Sequence, residues 1–205
     1  MSDQVHEAHL KYHYSLRYKL RSAVYHVERL GTYLNSQQAQ AQPPEAIVYR
    51  VNFHFDGFTH VIGSALDIFA REIIAYFGQP MPQHVYFQTA HQTVSSSHPG
   101  NAILPKLDDP TWRSEFSEYR NTATHESVVG SNYMNEITVE GGLTHIKIRF
   151  PLPDDPRAAL ANRTYKNNPD IVEYCRRTLV RTLRLLNPAY VEVRDQARAK
   201  GAFPL

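Results

Sequence analysis

The sequence predicts an all-α protein: an up-and-down bundle of four to five helices, with a small β-hairpin inserted late in the chain. Apolar residues recur at three- and four-residue steps through most of the chain, as they do on the buried face of an amphipathic helix. One late stretch instead alternates apolar and polar residues around paired glycines, a pattern typical of a hairpin. We expect a single domain over residues 1–205, with the hairpin at about 136–150, because a chain of this length can form one core.

Two long helices lead the chain. Apolar residues keep helical phase over residues 5–34 and again over residues 47–76, where Gly78 and Pro80 end the second pattern. Residues 49–55 also alternate like a strand. We predict helix there because the helical phase continues through them.

The middle of the chain is less regular. Residues 83–94 fit a short helix, and the Ser-, Pro- and Asp-rich stretch that follows to residue 110 is typical of a loop. A third long helix is predicted from about residue 110 until Gly130, with an apolar stripe of Trp112, Phe116, Tyr119 and Ala123.

The last helix has recognisable start signals. Asn168 fits an N-cap, Pro169 fits the first turn, and Asp170 adds a first-turn acid. We expect this helix to run toward Pro188, to kink there, and to continue to about Lys200.

Composition limits the classes of function. The formal net charge is only +2, so any surface that binds a polyanion must be local. Cys175 is the sole cysteine, the N-terminus has no apolar leader, and no window reaches the roughly 20 apolar residues of a membrane span. These features predict a soluble protein of the reducing cytoplasm, without membrane association.

The most informative stretch is EYRNTATHES, residues 118–127, on the third long helix. On a regular helix Asn121 and His125 lie opposite the apolar stripe, and Arg120 and His125 lie about 140° apart. Two arrangements would let them act on one atom: the helix breaks near Thr124, or a homodimer brings two copies of the set together. Spacing alone is weak support, since Arg21 and His26 share it.

The run RNTATH, in a late helix of a bundle led by two long helices, resembles the HEPN superfamily, whose helical domains carry Arg, four to six residues, then His. The resemblance implies a metal-independent endoribonuclease without a cofactor, acting on RNA as a homodimer. It also implies a toxin–antitoxin, phage-defence or RNA-processing setting, with an antitoxin or regulatory partner. Other members of the superfamily are inactive binding modules, and that alternative remains open here.

The residue types suit metal-free RNA cleavage, in which the 2′-OH is the nucleophile. His125 can transfer protons, and the planar Arg120 guanidinium can grip two phosphate oxygens. Asn121 can orient His125 or bind a phosphate oxygen. Arg177, Arg181 and Arg184, at helical steps on the last helix, form a candidate RNA-binding track.

Two other interpretations compete with this one. Polar residues on a helix face are most often simply solvated. His6, His9 and His13 share a face of the first helix, and with a carboxylate from a neighbouring helix they could bind a metal in a hydrolase. His54, in the apolar phase of the second helix, is expected to be a hydrogen-bonded core histidine.

Overall fold

The structure, a computed structural model, describes residues 3–36, 39, 41–98, 100, 110–123, 129, 133–167 and 170–199. This part of the chain is mostly helical, with a small antiparallel sheet. In chain order the elements are α1 (Asp3–Leu34), α2 (Pro44–Tyr76), α3 (Phe87–Ser97), α4 (Pro110–Asn121), β1 (Met134–Glu140), β2 (Leu143–Arg149), a short 3-10 turn (Leu160–Asn162) and α5 (Ile171–Ala199).

The two leading helices confirm the predictions from helical phase. α2 runs without interruption through residues 49–55, so the alternative strand is wrong. The aromatic side chains at Phe55 and Phe58 are buried on one face of this helix, whereas Tyr49 and Phe53 are exposed. Both β-favouring and helical patterns fit so short a stretch, and the longer apolar phase decided the outcome.

The chain divides into two compact units. The first contains Met1–Arg21, Ile62–Pro110 and Val180–Leu205, and the second contains Ser22–Val61 and Thr111–Leu179. α1, α2 and α5 each contribute residues to both units, and the expectation of a single domain stays a prediction.

Each unit has an aromatic centre. In the first unit, Phe69 of α2 contacts Tyr190 of α5, with 5.2 Å between ring centroids, and stacks on Phe87 of α3 at 6.5 Å. In the second unit, Tyr174 of α5 lies 6.0 Å from Phe55 and 4.8 Å from Tyr119 of α4. Aromatic pairs at these separations stabilise packing beyond the area that they bury.

The predicted hairpin is present. β1 and β2 pair antiparallel, with Glu140 opposite Leu143. Gly141 and Gly142 form the two-residue turn with φ of 61° and 80°, in the left-handed region that glycine adopts without a steric penalty.

The last helix starts later than its sequence signals indicated. α5 begins at Ile171, and the Asp170 carboxylate accepts hydrogen bonds from the backbone N–H of Val172 at 2.9 Å and of Phe150 at 2.8 Å. Asp170 directly precedes Ile171 and is therefore the N-cap of α5, so the prediction of Asn168 as the N-cap was wrong. The same carboxylate also joins the start of α5 to Phe150, the residue that follows β2. The helix continues through Pro188 to Ala199.

The middle segment is only partly described. α3 confirms the predicted short helix, while residues 101–109 of the predicted loop lie outside the described residues. Within the described ranges, no helix combines the length and the apolar character that crossing a bilayer requires.

Candidate functional site

α4 carries the first part of the RNTATH run, and two buried aromatic residues fix its position. Phe116 and Tyr119 are buried on the inner face of α4. The Tyr119 hydroxyl donates a 2.6 Å hydrogen bond to the Pro153 carbonyl. Burial raises the pKa of Tyr119, and the nearby Glu115 raises it further, so the phenol keeps its proton and remains a donor. The C-terminal end of α4 is thereby anchored within its unit.

Arg120 and Asn121 form the end of this anchored helix. Arg120 is half-buried and Asn121 is exposed. Within the described part of the chain, neither side chain has a hydrogen-bond or ion-pair partner. A guanidinium that is partly desolvated and not paired with a carboxylate is well suited to bind an external anion.

The helical geometry of α4 changes after Asn121. The α-helix ends at Asn121, and Thr122 and Ala123 follow in a π-helical turn. The structure thus departs from the predicted regular helix at Thr122 and Ala123. Residues 124–128, where a break near Thr124 was one of the predicted arrangements, lie outside the described residues. His125 itself lies outside the described residues, so its place beside Arg120 stays a prediction.

Thr122 was not singled out by the sequence. Its side chain is 0% exposed, and its hydroxyl has no hydrogen-bond partner among the described residues. Buried polar groups are nearly always hydrogen-bonded, and π-helical turns occur frequently at functional sites. The combination marks the end of α4 as locally costly structure, which sequence patterns do not reveal.

The flanks of α4 are held by ion pairs. Glu118 lies 3.6 Å from Arg157, which is the ordinary surface role that a charged helix residue has. Glu115 accepts a 3.0 Å hydrogen bond from Arg177, whose guanidinium also lies 5.9 Å from the centroid of the Tyr174 ring.

These contacts bear on the predicted RNA-binding track. Arg177 has a structural role in holding α4 against α5, Arg181 is half-buried, and Arg184 is exposed. The track of three arginines stays a prediction, and both Arg177 and Arg184 are exposed to solvent.

A histidine pair joins α1 to α2 in the second unit. The Nδ1 atoms of His26 and His54 lie 3.2 Å apart, so His54 is hydrogen-bonded as predicted, although it is half-buried and not in the core. The lack of a side chain at Gly57 makes room for His26, because a Cβ atom there would lie 2.4 Å from the imidazole. Burial lowers the pKa of both histidines, which favours the neutral pair.

Charged neighbours act on the same pair. For His54, the pKa is lowered chiefly by burial and further by His26, Arg50 and Arg29. The Arg29 guanidinium lies over the Tyr25 ring, 5.1 Å from its centroid. The pairing was hidden in the sequence because it joins residues 28 positions apart.

The predicted metal site needs a carboxylate from a neighbouring helix, and the structure places one beside His13. Glu72 of α2 is only 2% exposed, and its carboxylate lies 3.8 Å from Nδ1 of His13 and accepts a hydrogen bond from the Tyr190 hydroxyl. The side chains of His6 and His9 lie outside the described part. Among the side chains that are described, no group of three or more His, Cys, Asp or Glu residues is placed to hold a metal ion.

Comparison of the chain with family models, with curated proteins and with solved structures finds no match.

Proposed function

We propose that this protein is a HEPN-like, metal-independent endoribonuclease that works as a homodimer. The proposal places Arg120, Asn121 and His125 in its site, within an up-and-down bundle of four to five helices that carries the hairpin as an insertion. One observation supports it above the others: the half-buried Arg120 guanidinium, on an anchored helix end, has no anionic partner among the described residues. Such a group is prepared to bind a phosphate.

The proposed reaction needs only groups of the protein and the RNA. The 2′-oxygen attacks the adjacent phosphorus while His125 takes its proton, and the bond from phosphorus to the 5′-oxygen breaks. The protonated His125 then gives that proton to the departing 5′-oxygen, which leaves a 2′,3′-cyclic phosphate and a 5′-OH. Arg120 stabilises the charge that accumulates on the phosphoryl oxygens, and Asn121 orients His125 or holds one of those oxygens.

The hairpin supports the proposed homodimer. Ile137, Val139 and Ile146 lie on one face of β1 and β2 and are all exposed. Contiguous exposed apolar surface is typical of protein–protein contact sites. In a twofold-symmetric homodimer, each copy would cover this face of the other with the same residues.

Arg177, Arg181 and Arg184 belong to the proposal as RNA-binding residues. Because Arg177 also pairs with Glu115, Arg184 would contribute more to the salt dependence of RNA binding. An antitoxin or regulatory partner belongs to the proposal through the family resemblance alone.

The experiment that tests the proposal is cleavage of labelled RNA and of matched DNA in EDTA, by the untagged full chain. We expect RNA-only cleavage that leaves cyclic phosphate ends and is lost in His125→Ala. His60→Ala, which removes an exposed histidine of α2, serves as the matched control and should cleave normally. RNA binding without turnover would replace the nuclease by an inactive binding module.

A metal-dependent hydrolase is the second candidate, favoured by one contact. Glu72 supplies beside His13 the carboxylate that a site with His6 and His9 would need. Stoichiometric zinc or iron in the untagged protein, together with cleavage that EDTA abolishes, would favour this candidate over the ribonuclease.

A further inference from the structure

A cavity of about 310 Å³ lies along α2 beside the end of α4. Phe55 and Val129 are buried in its wall, and Ala123, three residues after Arg120, contributes to its lining. Pockets that bind organic ligands begin at about 300 Å³. The cavity therefore has room for a nucleobase, at the helix end where the candidate site lies.

Two aromatic residues line this cavity and are unusually exposed. Tyr49 is 75% exposed and Phe53 is 59% exposed, and they lie one turn apart on α2. Exposed aromatic side chains at this spacing form a surface on which a base can stack, a contact worth about 1–3 kcal/mol per base. Neither side chain belongs to the protein core, so both are accessible to a ligand.

The polar groups of the cavity distinguish among bases. Asp56 is exposed, and its carboxylate has no cation or hydrogen-bond donor as partner among the described residues. Asn52 is fixed by the 2.8 Å hydrogen bond that its amide nitrogen donates to the Val48 carbonyl. An ionised carboxylate accepts hydrogen bonds only, so it favours a base edge with two adjacent N–H donors.

We propose that this cavity binds an unpaired guanine base, stacked against Phe53 and Tyr49 and hydrogen-bonded through N1–H and the 2-amino group to Asp56. Among the four RNA bases, only guanine carries two such neighbouring donors on its Watson–Crick edge, and unpaired bases are read on that edge. The inference rests on the proposed function: a base held here would place its RNA strand beside Arg120, and single-stranded RNA with an unpaired guanosine is the substrate class.

The test uses the full chain and non-cleavable ligands. Binding of GMP, AMP, CMP and UMP is measured by ligand-observed NMR, and binding of 2′-O-methyl pentanucleotides with one central G, A, C or U by fluorescence anisotropy. We expect guanine to bind at least about tenfold more tightly than the other bases, as a good two-bond contact gives. Asp56→Asn should abolish that preference, while Phe53→Ala should weaken every base by fivefold or more.

Glu28→Gln, at an exposed acid of α1, is the control for charge and should retain the preference for guanine. Equal binding of all four bases, or a preference unchanged in Asp56→Asn, would overturn the inference.

Binding of the four mononucleotides is measured without any cleavage step, so it tests the cavity separately from catalysis. RNA cleavage without preference for guanine would contradict the guanine site alone. Selective GMP binding without any RNA cleavage would contradict the proposed nuclease alone. Binding of GMP but not of G-containing RNA would overturn RNA as the source of the base.

Discussion

Replacing Thr122 by Val tests whether the end of α4 is costly structure. Thr122 is 0% exposed, and its hydroxyl has no hydrogen-bond partner among the described residues. Burying an unbonded hydroxyl costs about 1–3 kcal/mol in mutational series. Thr122→Val removes that hydroxyl and keeps the shape of the side chain, so the free energy of unfolding should rise by about 1 kcal/mol or more.

Thr59→Val provides the matched control. Thr59 is also 0% exposed, but its hydroxyl donates a 3.0 Å hydrogen bond to the Asp56 carbonyl. The same change of atoms should there lower the free energy of unfolding, by about 0.5–1.5 kcal/mol. The two substitutions thus have opposite predicted signs at equal burial.

The assay is urea denaturation at pH 7.5, with thermal unfolding as a second measure. A gain of about 1 kcal/mol in a chain of this size corresponds to a rise in Tm of about 2–4 °C. If Thr122→Val instead destabilises the protein as much as Thr59→Val does, the Thr122 hydroxyl holds a hydrogen bond. The view of the α4 terminus as costly structure would then be wrong.

Two further predictions concern the buried carboxylate and the histidine pair. Tyr190→Phe removes the hydroxyl that donates to the buried Glu72 carboxylate, so the free energy of unfolding measured in urea should fall by about 1.5–3 kcal/mol. The control Tyr49→Phe, at an exposed position, should change it by less than about 0.5 kcal/mol. Equal effects of the two substitutions would refute the hydrogen bond. The pKa of His26 and of His54 is lowered in the folded state, mainly by burial, so the unfolded chain binds more protons below its ordinary histidine pKa of about 6.5. The contribution of the pair to stability should therefore be complete above that pH and fall as the pH drops through it. Urea midpoints between pH 7.5 and 5 should vary less in a His26→Gln, His54→Gln double variant than in the wild type. A double variant with the same pH profile as the wild type would contradict the lowered pKa values of the pair.

Periodicity predicted the helices well because it is a property of consecutive residues. α1 and α2 repeat apolar side chains over many turns, and Gly78 and Pro80 follow the end of α2. The hairpin was equally predictable, since Gly141 and Gly142 supply the two positive φ angles that its turn requires.

The start of α5 and the end of α4 were less predictable, and at α5 a tertiary contact is the reason. Asp170 caps α5 while also binding Phe150 N–H, a residue 20 positions earlier. Likewise, α4 gives way to a π-helical turn at Thr122, although the apolar stripe suggests a longer regular helix. Local propensity cannot register partners this far along the chain.

For the candidate site, too, the sequence predicted one part and the structure added another. The residue types of Arg120 and Asn121 indicated their chemistry, and the structure adds the half-burial of Arg120 and its lack of a described partner. The cavity lined by Tyr49, Phe53 and Asp56 escaped sequence reasoning. Those residues lie on a helix whose apolar phase describes the opposite, buried face.

The measurement that tests the central claim most directly is RNA cleavage by Arg120→Ala, combined with its thermal stability. If Arg120 stabilises charge on the phosphate, kcat/KM should fall by about 10²–10³. Tm should stay within about 2 °C of the wild type, because the side chain has no partner among the described residues. Arg17→Ala, at an exposed position of α1, should leave both unchanged. Unaltered cleavage by Arg120→Ala, or a loss of cleavage that merely follows a large fall in Tm, would contradict the account.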